Sequence, residues 1–168
     1  MIRDLADDDI DALVEIYGHH VHQGFGTFEE VPPSGDEMAT RVAAVRAAGL
    51  PWLAAEEDGR LSGYAYASAF RPRSAYRYTA EDSVYVAPWA HGRGVGRALL
   101  GELLARCQGL GLRQMLAVIG DSGNVASIAL HRSLGFETIG IARDIGFKHG
   151  RWLDVVWMQR SLVDPAGI

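Results

Sequence analysis

The sequence predicts a mixed α/β domain of the α+β type, with one sheet and helices packed on it. Three observations predict it. Apolar residues recur at helical spacing in some segments and alternate in others. The dipeptide Asp58-Gly59 separates two alternating runs, a strong hairpin signal. A glycine-rich stretch from Gly92 to Gly96 stands between an alternating run and a leucine-rich one.

The elements follow in order. Met1–Leu5 reads as a short strand. "DDDIDALVEIYGHHV" reads as a helix, with Ile10, Leu13, Val14 and Tyr17 on one stripe. Asp7 and Asp8 suit its positive end. "FGTFEEVPPSG" is a loop broken by Pro32, Pro33 and Gly35, and "DEMATRVAAVRAAG" is a second helix stopped by Gly49. "PWLAAEEDGRLSGYAYASAF" gives two strands joined at Asp58-Gly59. "TAEDSVYVA" is a further strand, with Val84 and Val86 on one face and Ser83 and Tyr85 on the other. Val95, Leu99, Leu100, Leu103, Leu104 and Cys107 then form one apolar helical stripe. "LRQMLAVIG" is a buried strand and "NVASIALHRSLG" a short helix ended by Gly135. "FETIGIARDIGF" and "RWLDVVWMQRSL" are two closing strands.

The 168 residues suit one domain, 1–168, with a sizeable core. A content of 48% hydrophobic and 22% charged residues is that of an ordinary globular protein. The net charge of −5 argues against a nucleic-acid partner. One cysteine, Cys107, excludes an internal disulfide and a cysteine-built metal site. The acidic opening has no long apolar run, so neither a signal peptide nor an anchor is expected. No stretch reaches membrane-spanning length. The expectation is a cytoplasmic protein with no membrane partner.

Glycines and arginines directly before a helix suit an anion, because the first N–H groups of a helix have no partner within it. A nucleoside-triphosphate loop needs G-x-x-x-x-G-K-[ST]; counted from Gly92, Arg97 stands where the second glycine would be, and there is no lysine in the stretch. A dinucleotide fingerprint needs G-x-G-x-x-G, and Arg97 and Leu99 break both possible frames. What remains is strand, short loop, His91-Gly92-Arg93-Gly94-Val95-Gly96-Arg97, helix. A glycine-rich turn before an ordinary helix fits that pattern too.

That segment resembles the pyrophosphate loop of the GCN5-related N-acetyltransferases (GNAT), [QR]-x-x-G-x-[GA], with His91 at the first position. "Asn124-Val-Ala-Ser127-Ile-Ala-Leu-His131-Arg-Ser-Leu-Gly135-Phe136" is similar to a second segment of the family, with His131 where a tyrosine is usual. "PWLAAEEDGRLSGYAYASAFRPRSAYRYTAEDSVYV", "GFKHGRWLDVVWMQRSL" and "TFEEVPPS" resemble the phosphinothricin and methionine-sulfoximine N-acetyltransferase subfamily over nearly the whole chain. The resemblance implies one central, mostly antiparallel sheet flanked by about four helices. It also implies acetyl-CoA as cosubstrate, no metal, a small amino-acid acceptor and a homodimer. His91 to Arg97 would hold the pyrophosphate, and Asn124 and Ser127 the pantetheine arm.

Acetyl transfer from a thioester to an amine needs a base, donors for the carbonyl oxygen and an acid for the thiolate. By resemblance Glu81 is the base. On pattern alone Glu81 and Asp82 are equivalent, either fitting a solvated strand-end carboxylate. Backbone N–H groups of Val84, Tyr85 and Val86 would bind the acetyl oxygen and pantetheine, although such groups equally pair with a neighbouring strand. His131 is the candidate acid; a helix histidine in polar surroundings fits the same pattern. Arg71 and Arg73, stiffened by Pro72, suit an anionic head group with two parallel hydrogen bonds, or form a solvated basic loop. Phe28 and Tyr78 would wall the pocket.

Other features read as structure. His19 and His22 lie one turn apart without further ligands, which predicts a helix end, not a metal site. Cys107 reads as core. Trp152, Trp157 and Met158 read as core or interface. Competing functions are acetylation of another amine (a protein N-terminus or a polyamine) and a non-catalytic acyl-CoA sensor, which needs no base.

Overall fold

The hairpin at Asp58-Gly59 has φ values of 50° and 75°, the doubly positive pair that a tight two-residue turn needs. It joins β2 (Trp52–Glu57) to β3 (Arg60–Ala69) in a computed structural model that describes residues 1–163. The other elements are β1 (Ile2–Asp4), α1 (Ile10–Gln23), α2 (Gly35–Ala47), β4 (Thr79–Val86), α3 (Val95–Gly109), β5 (Gln114–Gly120), α4 (Val125–Ser133), β6 (Glu137–Lys148) and β7 (Arg151–Ser161). This is the mixed α/β arrangement with four helices that the periodicity predicts; the last five positions of the expected span lie outside the described residues.

The seven strands form one sheet in the order β1-β2-β3-β4-β5-β7-β6. Among the described residues only β4 and β5 run parallel, because α3 supplies the crossover between them. Their register runs from Thr79↔Gln114 to Asp82↔Ala117 and ends there, while β4 continues to Val86 and β5 to Gly120. The two strands part beyond Asp82.

Side-chain alternation assigns the faces. Tyr85 meets Tyr17 of α1 edge-on at 5.0 Å. Val84 and Val86 lie under Gly96 of α3. Helices α1 and α2 therefore cover one face, and α3 and α4 the other. The predicted stripe of α3 is buried at every position, Cys107 included. Burial, with a smaller push from Asp82's charge, raises the Cys107 thiol to about 12, so it stays protonated in the core.

Local differences have simple causes. Asp7–Asp9 form a 3-10 turn ahead of α1, and His19–His22 lie inside its last turns. Gly35 opens α2 because the Ser34 hydroxyl accepts from the Glu37 N–H at 3.2 Å. Met158 is buried and Trp157 half-buried, but Trp152 is 65% exposed. It joins Ile139, Ile141, Ile145 and Phe147 as exposed apolar residues of β6 and β7. No described helix is long and apolar enough to cross a membrane. Among the described residues no cluster of histidine, cysteine and acidic side chains suits a metal.

Candidate active site

The parting of β4 and β5 leaves an open strand edge. The Ala87 N–H donates to the Ser62 carbonyl at 2.9 Å. In an antiparallel ladder the backbone groups of alternate residues then point away from β3. Val84 and Val86 turn theirs toward the opening. Tyr85 is a correction: its backbone groups belong to the β3 ladder, and its ring packs with Tyr17 and Tyr64. The Val86 carbonyl accepts from the His20 ring at 2.9 Å and the His91 ring at 3.1 Å.

Glu81 lies at the last turns of the register before the strands part, on the α1 face with Ser83 and Tyr85. Its neighbours across β3 include Ser68 and Tyr66, and Tyr66 stacks on Trp52 at 4.1 Å. Burial raises the Glu81 carboxyl above its ordinary range, and the Asp82 charge adds to this; Arg71 opposes them. A carboxylate so shifted is closer to the pH at which it can take a proton from an ammonium.

Asp82 is not solvated. It points to the opposite face, where the side chains of Asp82 and His131 are only 2% and 5% exposed. His131 Nε2 lies 2.9 Å from Asp82 Oδ2, and Nδ1 lies 2.7 Å from the Ser127 carbonyl. Burial pulls the His131 pKa down, but the hydrogen bond and charge of Asp82 and the Ser127 carbonyl outweigh it, and the net shift is upward. Thus the sequence-derived pair Glu81 and His131 flank β4 from opposite sides.

The glycine loop ends at Gly94, which precedes α3 with φ of 82°. That left-handed turn favours glycine and sets the first N–H groups of α3 free of the chain before them. Gly96 lets α3 approach: an added Cβ would lie 3.3 Å from Leu130 and 3.4 Å from Val86. Gly92 is also left-handed and Val95 is buried. Arg93 pairs with Glu57 at 2.9 Å, and Arg97 donates to the Ser133 hydroxyl at 2.6 Å. Both guanidiniums already hold protein partners beside the loop. Asn124 caps α4, accepting from the Ser127 N–H at 3.2 Å.

On the α1 side the ring of Phe28 packs against Gly120 and Gly146, where an added Cβ would overlap it. Phe28 itself remains 37% exposed. The Lys148 ammonium, on a buried residue, donates to the carbonyls of Gly24 at 2.9 Å and Thr27 at 2.8 Å, pinning this loop to β6. Arg71 sits over Phe70 at 4.7 Å and is near enough for its charge to act on Glu81. Arg73 is exposed at the start of a 3-10 turn. Tyr78 is exposed beneath Arg77.

Sequence reasoning missed Asp82, Lys148 and His20. Alternation along β4 is the one signal that could have separated Asp82 from Glu81. The other two depend on long-range contacts.

The family model described as acetyltransferase (GNAT) domain matches residues 2–157. The chain is 57% identical to the phosphinothricin N-acetyltransferase of Alcaligenes faecalis, over 96% of this chain and 82% of the relative. It is 39% identical to the L-methionine sulfoximine/L-methionine sulfone acetyltransferase of Salmonella typhimurium, over 94% and 92%. Among solved structures, a GNAT superfamily phosphinothricin acetyltransferase from Sinorhizobium meliloti in complex with AcCoA superposes with a TM-score of 0.96. It is 49% identical and is matched over 100% of this chain and 91% of that one.

Proposed function

The chain belongs to the GNAT acetyltransferase family, and on that premise we propose that residues 1–168 are one N-acetyltransferase domain. It moves an acetyl group from acetyl-CoA to the amino group of a small amino-acid analogue of the phosphinothricin, methionine sulfoximine or methionine sulfone type. The observation that carries the reading is Glu81, half-buried with a raised pKa where β4 and β5 part. A sensor that only bound the cosubstrate would have no use for a desolvated base there.

The residues present fit the cosubstrate. The open edge offers the backbone groups of Val84 and the N–H of Val86 to an extended amide-bearing arm, as an added strand would use them. The first turn of α3 offers N–H groups to a pyrophosphate. Gly92, Arg93, Gly94, Gly96 and Arg97 surround that end, and Asn124 and Ser127 border the arm. Bound acetyl-CoA supplies the thioester. Glu81 accepts the ammonium proton, so that the free amine attacks the carbonyl carbon. N–H groups of the β4 edge stabilise the oxygen as it gains charge. The C–S bond breaks and the thiolate takes a proton, with His131 the acid on that side. Arg71 and Arg73 bind the acceptor's anionic groups, and Phe28 and Tyr78 confine its side chain.

The same reading includes a homodimer acting in the cytoplasm. The exposed apolar residues of β6 and Trp152 support a surface for a second copy; light scattering on the purified protein tests it. The functional test is release of free thiol from acetyl-CoA with a panel of amines. Turnover is expected with phosphinothricin or methionine sulfoximine and not with polyamines. A preference for polyamines or peptide N-termini would reverse the acceptor assignment, and no turnover with any amine would reject the enzyme.

A further inference from the structure

The hydrogen bonds of His131 fix its protons. A carbonyl oxygen carries no hydrogen, so Nδ1 must donate to Ser127, 2.7 Å away. Nε2 faces a carboxylate oxygen at 2.9 Å. A neutral ring with its proton on Nδ1 would turn a lone pair at that oxygen. A second proton must therefore lie between Nε2 and Oδ2. The pair is buried, and Asp82 Oδ1 has no hydrogen-bond partner among the described residues. A lone carboxylate there would be costly; a carboxylate beside an imidazolium carries no net charge.

We propose that Asp82 is a positioning residue that keeps His131 doubly protonated, so that the pair holds one transferable proton where β4 and β5 part. Asp82 occupies the last paired position of β4, opposite Ala117. The proposal rests on the acetyl-transfer reading for its use. Donation to a leaving thiolate breaks one N–H bond of His131 and forms one S–H bond. The pair then carries one negative charge, and a proton from water restores it. Few groups compete for that proton. Cys107, from α3, stays a neutral thiol. Glu81 lies on the other face of the strand. Phe136, its ring perpendicular to that of His131 with centroids 5.0 Å apart, carries no titratable group.

The test is nitrogen NMR of histidine-labelled protein, paired with pH–rate profiles. At neutral pH both ring nitrogens of His131 are expected to carry protons in the wild type. A neutral tautomer there would overturn the proposal. Asp82→Asn keeps an acceptor but removes the charge. It should move loss of the second proton, and with it the alkaline limb of kcat/KM, down by about one pH unit or more, with Asp82→Glu restoring part of the shift. A uniform fall in kcat with the limb unmoved would mean that Asp82 serves packing alone, and would equally overturn it. Should Asp82→Asn not fold, the wild-type spectrum still decides. Failure of every amine in the thiol-release panel would remove the acetyltransferase reading without altering that spectrum.

Discussion

Glu81 and Asp82 are adjacent in the chain and face opposite sides of β4. Glu81 looks into the α1 side, with Tyr66 and Arg71 near it. Asp82 looks into the α3–α4 side and bonds His131. Alternation alone separates the two carboxylates, and each environment then gives its own chemistry. The half-buried one is poised to take a proton. The buried one binds an imidazole that can release one. On the proposed function, a single strand thus carries the base on one face and the acid's partner on the other.

Glu81→Gln should therefore damage rate and not cosubstrate binding. The loss in kcat is expected at about 10²–10⁴-fold, with the acetyl-CoA dissociation constant unchanged by calorimetry. In the wild type, kcat/KM should fall as pH drops through the raised carboxyl pKa, together with protonation of the amine. Stability should move the other way. A carboxyl whose folded pKa is raised stabilises the fold in its protonated form, and loses that contribution as pH rises through the folded value. Glu81→Gln should therefore melt no lower than the wild type at neutral pH, the difference vanishing in acid. A lower melting temperature there would contradict the burial argument.

Gly94→Val should abolish tight acetyl-CoA binding. Its φ of 82° strains any β-branched residue, at a cost of about 1–3 kcal/mol, and the new side chain stands at the head of α3. Gly49 provides the control. It has φ of 70° and an equally open surrounding, but ends α2. Gly49→Val should lose similar stability and keep its affinity. Equal loss of affinity in both would trace the effect to folding.

Local signals made most elements legible. The Asp58-Gly59 turn, the α3 stripe and the glycine loop each depend on neighbours a few residues apart. The insertion of β7 between β5 and β6 does not, and neither does the Lys148 contact with Gly24, 124 residues away. Within the candidate site, Glu81 and His131 were nameable from motifs, but their separation by β4 was not. The burial of Asp82 was not legible because its partner lies 49 positions on. The backbone of Tyr85 was assigned to the opening because a strand's free edge is set by its pairing, which the sequence does not display.

Arg73→Ala should raise the acceptor KM by about 10- to 100-fold, the value of one or two charge-assisted hydrogen bonds. The KM for acetyl-CoA should hold. Arg71→Ala should do the same and also raise the acid limb of the pH profile, because Arg71 lowers the Glu81 pKa. Steady-state kinetics over pH separates the two. Identical profiles for both variants would remove the electrostatic distinction between the arginines.

Gly146→Ala tests the seat of Phe28. The added Cβ would overlap the ring, so either β6 or the loop must move. Overpacking of this kind costs about 1–3 kcal/mol. The loop cannot yield freely, because Lys148 holds its Gly24 and Thr27 carbonyls. The ring itself should therefore tilt into the acceptor space, lowering kcat/KM for the amino acid while acetyl-CoA affinity stays the same. Phe28→Leu in the Gly146→Ala background removes the overlapping ring atoms. It should recover most of the lost melting temperature and admit bulkier acceptors than the wild type takes. If the double variant stays as unstable as Gly146→Ala alone, the overlap is not the cause. If both variants keep the wild-type order of acceptors, Phe28 does not wall the pocket.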